Sequence, residues 1–408
     1  MTRCASPTSA PDGHSRPAPT PPVVSRHYLD HASTSPTRPE VVVAMTDALG
    51  AAGADPGRIH SEGLEARHAV ETARGQVAGM LGARPREVVF TSGATEAITM
   101  ACWGATRRSH RNHSVLSAVE HSAVRRCSER GSVTLVGVDR TGRVDPDELI
   151  SAITDDTCVV HLQWGNHEVG TIHDMQPVAD ACRSRDVLFH VDAAQAVGHV
   201  PIDFAASGAD LLSVSAHKFG GPVGTGALLV RRGLRLEPLL AGGDQERARR
   251  AGLENTPAII GFGVACTSLA DGGLEQEAAV FRRLTDRLRD GLASLEGVDL
   301  FGNPDHRLPH LVCAGIVDVE PQAVLLGLDR AGVAAHSGSA CASEGLEPSP
   351  VLEAMGVDAD RSLRLSVGWN TTDSDVDAAL AALPGILAGL RALQRSPASS
   401  TSATSSGR

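Results

Sequence analysis

Between about residues 64 and 232 the chain keeps switching between two periodicities. Short β-rich runs recur: V-V-F-T (88–91), S-V-L-S-A-V (114–119), V-T-L-V-G-V (133–138), C-V-V-H-L-Q-W (158–164), V-L-F-H-V (187–191), L-L-S-V-S (211–215) and G-A-L-L-V (226–230). Stretches with helical spacing separate several of them. E-A-R-H-A-V-E-T-A-R-G-Q-V-A-G-M-L-G reads as an amphipathic helix closed by Gly82, and D-P-D-E-L-I-S-A-I and M-Q-P-V-A-D-A-C-R-S-R as two more. Parallel strands need long crossovers, usually helical, so this alternation predicts an α/β fold on a mainly parallel sheet.

The character changes from about residue 275. A charged helix (Leu274 to Leu295) leads to strand H-L-V-C-A-G-I-V, helix P-Q-A-V-L-L-G-L-D-R-A, strand S-L-R-L-S-V and a last helix beginning near Thr372. These elements predict a smaller α+β domain. The expected division is a large α/β domain over 39–274 and a small domain made of 27–38 with 275–395. Residues 1–26 carry six prolines among Ser, Thr and Ala, and 396–408 are Ser-rich. Both read as disordered tails.

Several function classes are disfavoured. A net charge of -11 repels nucleic acid and acidic membranes alike. The eight cysteines include no C-x-x-C, which fits neither a zinc ribbon nor a disulfide scaffold and suggests free thiols in a cytoplasmic setting. No apolar run approaches the ~20 residues of a membrane span, and no secretory h-region opens the chain. H-E-V-G-T-I-H (167–173) puts its second histidine too far along for H-E-x-x-H, so no metal site is expected there.

In open parallel sheets, ligands bind beyond the carboxyl ends of the strands. Thr91 to Thr95 follow one strand and open a helix, where backbone N–H groups suit a phosphate. Glu120 and His121 follow a second strand and Asn166 and His167 a third; Asp192 and Gln195 end a fourth, and Ser215, His217 and Lys218 a fifth. Lys218 is the sole lysine: the other 36 of the 37 Lys and Arg residues are arginine. A Schiff base needs a primary amine that can lose its proton, which guanidinium cannot supply. A lysine, a phosphate cradle and a strand-end carboxylate together match the needs of pyridoxal phosphate.

The motifs F-T-S-G-A-T-E, E-H-S-A-V, N-H-E-V-G-T, H-V-D-A-A-Q-A-V-G and S-A-H-K-F-G-G-P resemble, in order, those of the NifS-type cysteine desulfurases. L-D-H-A-S-T-S-P, G-G-D-Q-E-R-A-R-R-A-G, S-G-S-A-C and L-R-L-S-V-G extend the resemblance over about residues 28–390. These are fold-type I pyridoxal phosphate enzymes of the class V aminotransferase group. The resemblance implies that Lys218 holds the cofactor and moves the substrate α-proton, that Asp192 pairs with the ring nitrogen and that Gln195 bonds the ring oxygen. It also implies that Ala94, Thr95, Ser215 and His217 hold the phosphate, that His121 stacks on the ring and that His167 lies beside it. Arg364 would grip the substrate carboxylate, a task suited to its bidentate fork. Cys341, among small residues in H-S-G-S-A-C-A-S-E-G, would be the nucleophile that carries sulfur onward.

The implied activity is removal of sulfur from L-cysteine, giving L-alanine and a Cys341 persulfide. A homodimer and a sulfur-acceptor protein (an iron–sulfur scaffold, a tRNA-thiolating enzyme or a biosynthetic sulfur carrier) come with it. The alternatives are a selenocysteine lyase or aminotransferase of the same fold, and a non-catalytic sulfur-relay adaptor. Three positions depart from the family pattern. His167 replaces an asparagine, Leu253 a threonine that reaches the neighbouring subunit's phosphate, and Asp55 the asparagine of an early Gly-Asn-Pro turn.

Overall fold

A computed structural model describes residues 26–50, 54–338 and 348–395. The two tails, apart from Arg26, and Cys341 lie outside the described residues. The strands are β1 (His27–Tyr28), β2 (Val88–Thr91), β3 (His113–Ser117), β4 (Ser132–Val136), β5 (Thr157–Gln163), β6 (Leu188–Asp192), β7 (Leu211–Ser215), β8 (Gly226–Val230), β9 (Val298–Phe301), β10 (Leu311–Ile316), β11 (Val333–Ala334) and β12 (Ser362–Ser366).

β2 to β8 make one sheet in the order β2-β8-β7-β6-β5-β3-β4. The pairs among β3 to β7 are parallel, while β8 runs antiparallel to both neighbours. Every residue of β5, β6, β7 and β8 is buried, which is why these strands read as nearly continuous apolar runs. Helix Ala94–Arg108 lays Ala97, Met100, Ala101 and Ala105 on one face, against Val159, Leu188, Leu211 and Leu228. The other face packs Val160, Phe189, Val191 and Leu212 with Val70, Val77 and Phe262, from helices Ser61–Met80 and Thr256–Thr267. The Thr256–Thr267 helix was not read from the sequence, because T-P-A-I-I-G-F-G-V-A-C-T has no polar face to reveal its period.

A second, antiparallel sheet has the order β12-β10-β9. Helix Gly273–Ala293 covers it with Phe281, Leu284, Leu288 and Leu292, joined by Val324 and Leu328 from helix Pro321–Arg330. Leu29 is buried in this same core, β1 pairs parallel with β11, and the Ser366 N–H bonds the Leu29 carbonyl at 2.8 Å. Residues 27–32 are thereby led from the second core towards the large sheet.

Asp373–Gln394 holds no unbroken apolar run, but an 18-residue window within it has mean hydropathy 1.6, long and apolar enough by composition to cross a bilayer. Its Val376, Ala379, Leu383 and Leu387 are buried in the second core.

Candidate active site

A cavity of about 610 Å³ opens where the carboxyl ends of the parallel strands meet the second sheet. Ala94, Thr95, His121, His167, Asp192, Gln195, Ser215, His217, Lys218 and Arg364 all line it.

Lys218 sits in a single 3₁₀ turn, Ala216–Phe219, directly after β7. Its Nζ donates to the carbonyls of Ala32 at 2.8 Å and Ser33 at 2.9 Å. Burial, and then the Arg364 charge, push its pKa down to about 8, against the smaller opposing pull of Asp30 and Asp192. The amine can therefore shed its proton close to neutral pH.

Asp192 ends β6, and its Oδ1 accepts the Ala194 N–H at 3.0 Å. Burial raises its pKa to about 6, although that hydrogen bond and Lys218 both favour the carboxylate. Gln195, three residues on, donates Nε2–H to the Ala32 carbonyl at 2.7 Å. One carbonyl thus receives both the lysine and the glutamine.

His121 caps helix Ser122–Ser128, its Nδ1 accepting the Ala123 N–H at 3.1 Å. The neutral ring therefore carries its proton on Nε2. Burial and Lys218 lower its pKa to about 4, so the neutral form prevails. His167 meets it edge-to-face at 5.1 Å and is held well below its ordinary pKa by burial.

Helix Ala94–Arg108 starts at Gly93, which provides no side-chain cap, so the first N–H groups face the cavity beside Ser215 and His217. A Cβ on Gly93 would meet only the Ser215 hydroxyl, at 3.8 Å, but φ of +150° there favours glycine. Arg364, on β12, closes the far side. It donates to the His167 carbonyl at 2.8 Å, the Ser33 hydroxyl at 2.8 Å and Asp30 at 3.2 Å, while its buried Nε has no partner among the described residues.

The family profile described as Aminotransferase class-V matches residues 27–379. The cysteine desulfurase IscS of Methanosarcina thermophila is 41% identical over 374 residues, covering 89% of this chain and 92% of that one. A solved NifS-like protein superposes with a TM-score of 0.83 at 30% identity, covering 90% of this chain and all of the other (100%). The structure titled SspA in complex with cysteine gives 0.74 at 29% identity, with coverage of 84% and 98%. The chain belongs to the NifS- and IscS-type cysteine desulfurase family.

The cofactor of such a desulfurase is pyridoxal 5'-phosphate, and the cavity fits it. An uncapped helix N-terminus with a serine and a histidine suits the phosphate. A buried carboxylate suits the ring nitrogen, and the second Nε2 hydrogen of Gln195 suits the ring oxygen. The lone primary amine lies in the same space.

Other lining residues were not picked out from the sequence. Ala32, Ser33, Gln163, His336 and Gly338 also face the cavity, and Asp30 stands behind Arg364. Only the motif L-D-H-A-S-T-S-P hinted at the first two and Asp30. Glu120, next to His121, is fully buried. Its Oε1 takes the Gln163 N–H at 2.8 Å, its Oε2 has no partner among the described residues, and burial beside Asp192 raises its pKa to about 8. Of the three departures, His167 alone lines the cavity. Leu253 is 62% exposed beside a neighbouring hollow that shares Ser92 and Gly224 with the main one. Asp55 bonds the Gly57 N–H at 2.7 Å and pairs with Arg58 at 3.0 Å, which keeps the turn while answering its charge locally.

Proposed function

We propose that this protein removes sulfur from L-cysteine, releases L-alanine, and passes the sulfur through a persulfide on Cys341 to an acceptor protein. When bound, pyridoxal phosphate supplies an electron sink for negative charge at the substrate α-carbon. The chain's own residues do the rest. Ala94, Thr95, Ser215 and His217 would hold the phosphate, Asp192 the ring nitrogen and Gln195 the ring oxygen. His121 and His167, which line the same cavity, would face the ring, and the His121 Nε2–H would assist proton transfer.

Lys218 anchors the cofactor and, as a free amine, takes the proton from the substrate α-carbon. Arg364 grips the substrate carboxylate; its Nε–H, unpartnered among the described residues, supports that role. The Cys341 thiolate attacks the substrate sulfur. A new S–S bond forms, the Cβ–S bond breaks, and the electron pair stays with the carbon fragment, which gains protons and leaves as alanine.

The observation that carries this reading is the chain's only lysine, half-buried with its pKa lowered, in one cavity with Asp192 and an uncapped helix N-terminus. The reading includes a cytoplasmic homodimer serving an iron–sulfur scaffold, a tRNA-thiolating enzyme or a biosynthetic sulfur carrier. The test is alanine release from L-cysteine by protein given pyridoxal phosphate and a thiol reductant, beside Lys218→Ala and Cys341→Ser. Release lost in both variants supports the reading. Release that survives Cys341→Ser moves the protein to another reaction of the same fold, and no release from folded wild type overturns the proposal.

A further inference from the structure

Gln195 is gripped from behind by two histidines outside the cavity lining. Its amide Oε1 lies 3.1 Å from His310 Nε2, and its backbone carbonyl 3.0 Å from His199 Nδ1. The two imidazoles stack, centroids 3.5 Å apart and planes 13° from parallel. Both rings are buried, and His310 Nδ1 has no partner among the described residues.

These contacts determine each proton. The Ala32 carbonyl can only accept, so the amide nitrogen of Gln195 must face it and the amide oxygen must face His310. His310 Nε2 must then carry the hydrogen. The partnerless Nδ1 is the bare nitrogen of the neutral ring. A second proton there would sit buried without an acceptor, near the charges of Arg364 and Lys218. His199 likewise carries its hydrogen on Nδ1, because its partner is a carbonyl.

We propose that the His199–His310 stack is a positioning device that locks the Gln195 amide with its oxygen turned away from the cavity and its nitrogen turned in. Resting on the desulfurase reading, this makes the site a one-way donor towards the cofactor ring oxygen, favouring its deprotonated form. An unlocked amide could rotate and offer an acceptor, which favours the protonated form. His310 touches neither cofactor nor substrate; it acts through Gln195.

The test compares His310→Leu, which deletes the donor, with His310→Gln, whose amide nitrogen can reach the Nε2 position. In wild type, titration with pyridoxal phosphate should give a visible band that depends on Lys218. In His310→Leu, part of that band should move to the shorter wavelength of the protonated ring oxygen. The cofactor dissociation constant should rise about 3- to 10-fold, the size of one hydrogen bond. His310→Gln should restore both. Leu and Gln variants that shift alike would reduce the stack to packing and overturn the proposal, as would a Leu variant identical to wild type. Should His310→Leu fail to fold, ¹⁵N-histidine spectra of wild type, assigned with His310→Gln, decide the matter. A neutral Nε2–H ring at His310 supports the lock, and an Nδ1–H or doubly protonated ring overturns it. Absence of any Lys218-dependent band in wild type is a different failure, that of the desulfurase reading.

Discussion

The cavity's two walls are built on different principles. On one side, His121, Asp192, Ser215 and Lys218 stand at or just past the carboxyl ends of β3, β6 and β7. On the other, Arg364 lies in the middle of β12, an antiparallel strand, and Ser33 comes from the opening segment. The first wall holds its charged groups with few protein partners, so burial dominates their pKa values. The second is knitted together by hydrogen bonds: Arg364 bonds His167, Ser33 and Asp30, the last 334 positions away. Chemistry should fail when the first wall is altered; substrate grip, and some stability, when the second is.

The largest effect should come from Lys218. Lys218→Ala should cut alanine release by about 10⁴-fold, the upper range for a lost general base. Lys218→Arg should do no better, since guanidinium keeps its proton. A mutant retaining a tenth of the activity would break the contrast between walls. On the second wall, Arg364→Ala should lower kcat/KM for L-cysteine by about 100-fold, mostly through KM, as a charged hydrogen bond to the substrate is lost. It should also lower the melting temperature, because Asp30 loses an ionic partner. A change confined to kcat would move Arg364 into the chemistry.

Asp192 offers a test in stability. Its folded pKa of about 6 exceeds its ordinary 3.8, so the unfolded chain ionises first and cofactor-free protein loses stability as pH rises through that window. Asp192→Asn escapes the loss. Denaturant melts of the cofactor-free protein should show the variant more stable by up to about 3 kcal/mol at about pH 8 and equal near pH 3, while alanine release falls. A variant less stable at high pH would mean that the carboxylate is better paired than burial implies. The smallest effect is Leu253→Thr. If this position reaches the partner's phosphate, the new hydroxyl should tighten cofactor binding by about 5-fold, read by fluorescence titration. No change would place Leu253 outside the shared site.

Legibility followed the same divide. V-V-F-T, L-L-S-V-S and G-A-L-L-V coincide with β2, β7 and β8, because strands buried on both faces are written as apolar runs between turns. Once those ends are known, a parallel sheet brings them together by geometry, and Asp192 and Lys218 could be found by counting. Arg364, inside an antiparallel strand, had no such signal and was reached only through the family resemblance, as was the ring-oxygen role of Gln195. Asp30, His199 and His310 were not singled out, since a buried histidine looks like any other until its partners are known, and Glu120 was seen at its strand end without sign of its raised pKa.

By itself, then, the sequence determined the mainly parallel α/β architecture, the single amine able to form a Schiff base, and the phosphate-ready turn before Ala94. Each of these is a local property of residue type and spacing. Only the tertiary structure decided which groups share the cavity, how far burial moves Lys218 and Asp192, and which way the Gln195 amide points. Dielectric surroundings and hydrogen-bond partners come from segments hundreds of residues apart, and no local pattern encodes their meeting.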